Sequence, residues 1–196
     1  AAGALAQPSG RLVLYTSQPD ADAQRTVDAF MAAYPDVEVD WIRAGTTQVM
    51  ARLAAEFEAG DPQPDVLLIA DMVTMEGLER DGRLMAYPEA DVSAYDPAIM
   101  DPQHHYFSTK LITTGIVYND AAPMQPTSYK DLMDPEVGSA FMMPSPLTSG
   151  AATIHMASIT EHPDLGWALY ESLAENGAIA SGGNGGVRTG VAGGEK

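Results

Sequence analysis

Cysteine is absent from the chain, which removes disulfides, thiolate metal sites and thiol nucleophiles together. Basic residues are scarce: 10 Lys and Arg stand against 27 Asp and Glu, a net charge of −17. A phosphate backbone demands Lys and Arg, so nucleic acid is excluded as a partner. An acidic surface also repels anions at long range, so any anion site must be local, built from amides with an Arg at most. Nowhere is there an apolar run of the roughly 18 residues that a membrane helix needs. The N-terminus, Ala1-Ala2-Gly3-Ala4-Leu5-Ala6-Gln7-Pro8, lacks the basic and apolar pattern of a signal peptide. It reads as what remains once such a peptide is cut, or as a plain leader.

What is present is a 196-residue chain with 45% hydrophobic residues, enough for one large domain or two small lobes. Arg11 to Tyr15 is a short continuous apolar run, the pattern of a buried parallel strand. Pro19-Asp20 opens a helix with Val27, Phe30, Met31 and Tyr34 on one face. Val37 to Ile42 alternates as a second strand. Gly45-Thr46-Thr47 starts a helix carrying Val49, Met50, Leu53 and Phe57, and Asp65 to Ala70 is a third strand, followed by a short helix over 72–80. Strand and helix alternating three times predict an α/β fold with a parallel sheet. Ligands of such sheets bind beyond the carboxyl ends of the strands. Those ends hold Ser17 and Gln18, then Thr46 and Thr47, then Asp71, each of which also reads as a helix cap.

Beyond a proline-punctuated stretch, Leu111 to Asn119 predicts a strand long enough to pass between two lobes. Short elements follow near Tyr129 to Met133 and at Ala140 to Met143, then a helix over 163–174. Pro144 and Pro146 keep the approach to Leu147-Thr148-Ser149-Gly150-Ala151-Ala152 extended. Thr148 or Ser149 caps the helix that follows. Its first turn offers unpaired N–H groups, the positive end of the dipole and side chains too small to obstruct, which suits an anion. An ordinary capped helix at a domain boundary satisfies the same residues. The stretch Ser181-Gly182-Gly183-Asn184-Gly185-Gly186 is too glycine-rich for an element interior, and predicts a backbone-lined ligand loop or a linker.

Other chemistry is poorly served. His104 and His105 are the only adjacent His pair, and adjacent residues rarely serve one metal from the same strand face, so a solvated loop is expected. His155 falls inside a helix as a satisfied core residue. Arg43 and Arg188 suit either a ligand carboxylate or phosphate or the surface. A hydrolase using Ser149 is the enzyme alternative. Against it, Leu147-Thr148-Ser149-Gly150 lacks the first glycine of a Gly-x-Ser-x-Gly elbow, and no His or carboxylate is spaced to activate the hydroxyl. The glycine-rich stretch follows a helix, which does not fit a nucleotide fingerprint. A partner-binding module without transport function is the third alternative.

The colinear segments Leu-Tyr-Thr-Ser-Gln, Pro-Asp-Val-Leu-Leu-Ile-Ala-Asp, Gly-Ile-Val-Tyr-Asn, Ser-Tyr-Lys-Asp-Leu-Met-Asp-Pro and Ser-Pro-Leu-Thr-Ser-Gly-Ala-Ala resemble the ferric-iron-binding group of ABC-transporter solute-binding proteins, the type II periplasmic binding proteins. The resemblance implies two lobes, each with a parallel-type sheet and helices on both faces, closing on a ligand. The lobes are expected over 1–107 and 120–196, with a crossover at 108–119. It implies no catalysis, an extracytoplasmic location (periplasmic, with the signal peptide absent), and delivery to an ABC permease in the membrane. The implied ligand set is Ser17, Gln18, Asp71, Ser149, Gly150, Ala151 and Asn184, which Thr46 joins from its place at the second strand end, with Asp71 as metal ligand for Fe(III) alongside a synergistic anion. Departures are plain: the place of a first-loop His is Pro19, and the family's tyrosine pair would fall beyond residue 196. Phosphorylated or phosphonate organics fit Ser149, Gly150, Ala151 and Asn184 equally well. The family's C-terminal portion is expected beyond Lys196, so the first lobe's open sheet edge is expected to associate with that portion or with another chain.

Overall fold

A computed structural model describes residues 7–196; the expected leader lies almost wholly outside the described residues. The chain divides into two compact units. One comprises the residues up to Ala70 together with Gly115–Lys196, and the other comprises Asp71–Thr114. These boundaries differ from the expected ones at 107 and 119.

In the first unit, β1 (Gly10–Thr16) lies between β2 (Val37–Arg43) and β3 (Val66–Leu68), both parallel to it. The register runs from Gly10 opposite Val37 to Thr16 opposite Arg43, so the β1 and β2 carboxyl ends finish level. β3 is shorter than its apolar run, yet its ladder extends at both ends. The Asp65 amide bonds the Val13 carbonyl, and its carboxylate accepts the Val13 amide at 2.8 Å. At the other end the Ser17 amide reaches the Leu68 carbonyl. The parallel α/β architecture follows the sequence pattern because the helices α1 (Asp20–Ala33) and α2 (Thr46–Ala59) each bury a stripe, Ala23 and Val27 in one, Val49 and Leu53 in the other. The far end of the α1 stripe stays open: Phe30, Met31 and Tyr34 are each more than a third exposed.

The remainder of this unit is helical around a two-stranded sheet. A 3-10 turn (Tyr129–Met133) and α4 (Pro135–Ser139) precede β4 (Met142–Met143), α5 (Gly150–Thr160), α6 (Gly166–Glu175), β5 (Ile179–Ala180) and α7 (Asn184–Gly193). Leu132, Val137, Ile159, Leu169 and Leu173 form its core. β4 and β5 pair in parallel. The second unit holds α3 (Met72–Arg80), a 3-10 turn (Pro97–Ile99) and an isolated antiparallel bridge between Met100 and Phe107.

Three expectations are corrected. Leu111 to Asn119 is not a strand. An apolar run becomes a strand only when a neighbour takes its backbone groups, and among the described residues no such partner is paired with it. The glycine-rich stretch is no loop throughout: Gly183 caps α7, whose first turn is Asn184-Gly185-Gly186. Nor does it follow a helix directly, because β5 intervenes. Finally, α6 begins at Gly166 rather than 163, since Leu165 and Gly166 both bond back to the His162 carbonyl in a turn.

Candidate functional site

The starts of α5 and α7 come together. Ser149 is the N-cap of α5, its Oγ accepting the Ala152 amide at 3.2 Å. The same hydroxyl donates to Asn184 Oδ1, also at 3.2 Å, so two helix N-termini are joined by one side-chain pair. Among the described residues, no acceptor meets the amides of Gly150 and Ala151, nor those of Asn184 and Gly185. First-turn amides are left open by helix geometry, and here two sets lie beside one another with both dipoles contributing positive potential. Gly150 is buried, whereas Asn184, Gly185 and Gly186 are exposed.

Thr148 locks the approach. Its Oγ1 donates to the Gly182 carbonyl at 2.6 Å and lies 3.2 Å from the Ser145 carbonyl, while the Ser145 amide also bonds Gly182. Gly182 needs its φ of 56° for this turn. The loop from β2 to α2 abuts the same point: a Cβ on Gly45 would stand 2.0 Å from the Thr148 carbonyl oxygen. Next along the chain is Thr46, buried, with an Oγ1 that has no hydrogen-bond partner among the described residues. The β1 end is tied to the β2 end, because Arg43 Nε donates to the Gln18 carbonyl at 3.0 Å and the Ala44 amide to the Thr16 carbonyl. The Gln18 amide bonds Thr16 Oγ1, and Ser17 continues the ladder to Leu68.

The expected site residues thus fall into three groups. Ser149, Gly150, Ala151 and Asn184 meet at the helix starts. Ser17, Gln18 and Thr46 occupy the carboxyl edge of the β1–β3 sheet. Asp71 belongs to the second unit, where its Oδ1 accepts the Thr74 amide at 2.6 Å and caps α3. Asp71 is not among the described residues that bring three potential metal-ligating side chains together; those are Glu79, Asp101 and His105.

Sequence reasoning missed Gly45, Gly182 and Asn119. Gly45 was legible only as a helix start. Asn119 Nδ2 reaches the Val191 and Ala192 carbonyls at the end of α7 at 3.1 and 3.3 Å, holding the far end of the helix that carries Asn184. Ser149 is occupied as a cap, and among the described residues no imidazole bonds it, so the nucleophile reading has no base.

The family profile for bacterial extracellular solute-binding proteins matches residues 15–138, more than half of the chain. No curated protein matches. Among solved structures, iron-bound HitA from Pseudomonas aeruginosa is 23% identical with a TM-score of 0.70, covering 96% of this chain and 61% of its own. The periplasmic binding protein AfuA from Actinobacillus pleuropneumoniae, with exogenous fructose-6-phosphate bound, is 23% identical at a TM-score of 0.75, covering 96% and 62%. The substrate-binding protein of an ABC transporter from Agrobacterium tumefaciens is 17% identical at 0.77, covering 95% and 57%. The chain therefore spans about three fifths of the length of these structures, which are of binding proteins rather than enzymes. By its sequence match and its parallel α/β fold, the chain belongs to the bacterial extracellular solute-binding proteins.

Proposed function

We propose that this chain carries part of the ligand cleft of an extracytoplasmic ABC-importer binding protein that takes a small anionic solute, with a phosphorylated or phosphonate organic as the favoured class and an ABC permease as the membrane partner. The carrying observation is the pairing of the α5 and α7 starts through Ser149 and Asn184. Amides aimed with two helix dipoles bind an oxyanion without a large positive field, which a chain of net charge −17 does not have. Thr46, with its buried unpartnered hydroxyl, and the Ser17–Gln18 turn supply polar groups for the remainder of the solute. Fructose-6-phosphate bound to AfuA is consistent with this ligand class.

Fe(III) with a synergistic anion is the second reading, favoured by iron-bound HitA. Hard Fe(III) needs several oxygen ligands, and Asp71 is the one expected here, already engaged as a cap.

Thermal melting with inorganic phosphate, fructose-6-phosphate and ferric citrate tests both. A true ligand at about 100 times its Kd stabilises the fold by about 2.7 kcal/mol. The double variant Ser149→Ala with Gly150→Pro removes the cap and one amide donor and abolishes the shift from any phosphate-bearing ligand. Equal shifts in the double variant and the native chain overturn the site.

A further inference from the structure

The second unit contains a side-chain cluster that the solute-binding reading does not use. Asp101 is 3% exposed, an unusual place for a carboxylate. It is held there by a tight reversal of the chain. The Met100–Phe107 bridge closes the loop, His104 takes a φ of 63° at its tip, and the Asp101 carboxylate accepts the amides of Gln103 at 3.1 Å and His105 at 2.7 Å. That reversal turns the His105 ring back onto Asp101. Its Nδ1 lies 3.0 Å from Asp101 Oδ2 and 3.3 Å from Glu79 Oε1, which projects from α3. His105 is therefore not the solvated loop residue that its sequence context implies; its side chain is only 24% exposed.

One ring nitrogen thus faces two carboxylate oxygens from separate elements. A neutral imidazole donates one proton from Nδ1 and satisfies one carboxylate at most. A metal cation held by all three donors would offset the charge of both carboxylates. The spacing suits a metal ion. Zn–N and Zn–O bonds of about 2.0–2.2 Å in a tetrahedron put neighbouring donors roughly 3.3 Å apart, and all three donor atoms here lie within 4.8 Å of one another. Imidazole with two carboxylates matches borderline divalent ions such as Zn²⁺ or Co²⁺ in preference to soft ions that favour sulfur.

We propose that Glu79, Asp101 and His105 form a divalent transition-metal site, with His105 Nδ1 and one oxygen of each carboxylate as ligands and a fourth position left to solvent. The donors come from α3 and from the 100–107 reversal, so a bound ion staples the loop to the helix within this unit. The Asp101 bonds to the Gln103 and His105 amides fix the orientation of the ligating carboxylate, as metal sites generally require.

Calorimetric titration of chelator-treated full chain with Zn²⁺, in the absence of any phosphate-bearing solute, tests the proposal independently of the solute reading. One Zn²⁺ per chain is expected, weakened at least tenfold in His105→Gln and in Glu79→Gln and unchanged in His162→Gln. Lack of stoichiometric binding, or binding that survives both ligand substitutions, overturns the site. The native chain gives a second readout that no folding defect confounds. On adding Zn²⁺ the His105 ring ¹⁵N resonances move and Co²⁺ takes on a four-coordinate visible spectrum; an unperturbed His105 ring at saturating Zn²⁺ refutes the assignment.

Discussion

The Cα of Gly45 sits against the carbonyl of Thr148 so closely that a β-carbon added there would stand 2.0 Å from the oxygen. The backbone of Gly45 itself is ordinary, with φ −62° and ψ 152°, so any residue could adopt it. Its glycine is required by the neighbour alone. Thr148 is backbone in this contact and cannot swing aside, because its hydroxyl is bonded to Gly182.

Gly45→Ala should therefore separate the β2–α2 loop from the start of α5. Overpacking of this kind costs about 1–3 kcal/mol, read as a lower urea midpoint, and displacement of Thr148 should weaken any solute held at the helix starts. Gly77→Ala is the control. Gly77 lies inside α3 with nothing among the described residues within 4 Å of its added Cβ, so helix propensity alone acts and stability should rise by about 0.5–1 kcal/mol. Equal effects in the two variants would refute the steric account.

The contrast shows what a sequence exposes. Elements with a local cause were legible: Pro19 and the acidic first turn mark α1, the run at Arg11 to Tyr15 marks β1, and Ser149 caps α5 through its own chain neighbour Ala152. The pairing of Ser149 with Asn184 spans 35 positions and has no local signature. The strand expected at Leu111 to Asn119 failed for the same reason, since an apolar run records a disposition to pair and not the presence of a partner. Gly185 and Gly186 misled in the opposite direction. Their low helix propensity is overridden by a helix anchored at its far end by Asn119. His105 was misread because its adjacency to His104 carries no information about Glu79, which lies on another element.

Glu56 ties α2 to β1 and to the loop after α2. It accepts the Tyr15 hydroxyl at 2.7 Å, the Arg52 guanidinium at 2.8 Å and the Gln63 amide at 3.1 Å, with Arg52 lying over the Tyr15 ring at 4.9 Å. Burial alone would push this carboxyl up; the hydrogen bonds from Arg52, Tyr15 and Gln63 outweigh it and hold it below the ordinary range. An acid lowered by the fold stabilises it at neutral pH, and the contribution is lost as pH falls through the folded value. Glu56→Gln should cost about 1.5–3 kcal/mol at pH 7, the range for hydrogen bonds to charged groups. The deficit should vanish in urea melts taken below both carboxyl values. A deficit independent of pH would show that packing, and not charge, is what Glu56 supplies.

His155 acts in a different pH window. Its Nδ1 lies 3.3 Å from the Tyr170 hydroxyl, while its Nε2 and the Tyr129 hydroxyl are buried with no hydrogen-bond partner among the described residues. The sequence expectation of a satisfied core histidine thus holds for one nitrogen only. Burial holds His155 below its usual value, and burial together with the neighbouring Tyr129 pushes Tyr170 up to about 12. A histidine kept neutral by the fold loses ground once the unfolded chain takes up a proton, so stability should decline as pH drops below about 6.5. His155→Leu should flatten that part of the profile and leave the more acidic Glu56 transition in place. An unchanged slope between neutral pH and the carboxyl range would assign it to another group.

Asn184 separates the anion reading from a purely structural one, because a single substitution moves stability and affinity in opposite directions. Asn184 is the first residue of α7. Asp at that position favours the positive end of the helix dipole by about 0.3–1 kcal/mol, and its carboxylate still accepts the Ser149 hydroxyl. Asn184→Asp should therefore melt at the same temperature as the native chain or slightly higher. A fixed negative charge beside the four open amides repels an incoming oxyanion, so affinity for fructose-6-phosphate or inorganic phosphate should drop at least tenfold in calorimetric titration. Ser149→Ala provides the opposite signature in stability, losing about 0.5–2 kcal/mol with its cap. If Asn184→Asp binds the phosphate-bearing solute as the native chain does, the paired helix starts are structural caps, and the anion is held elsewhere.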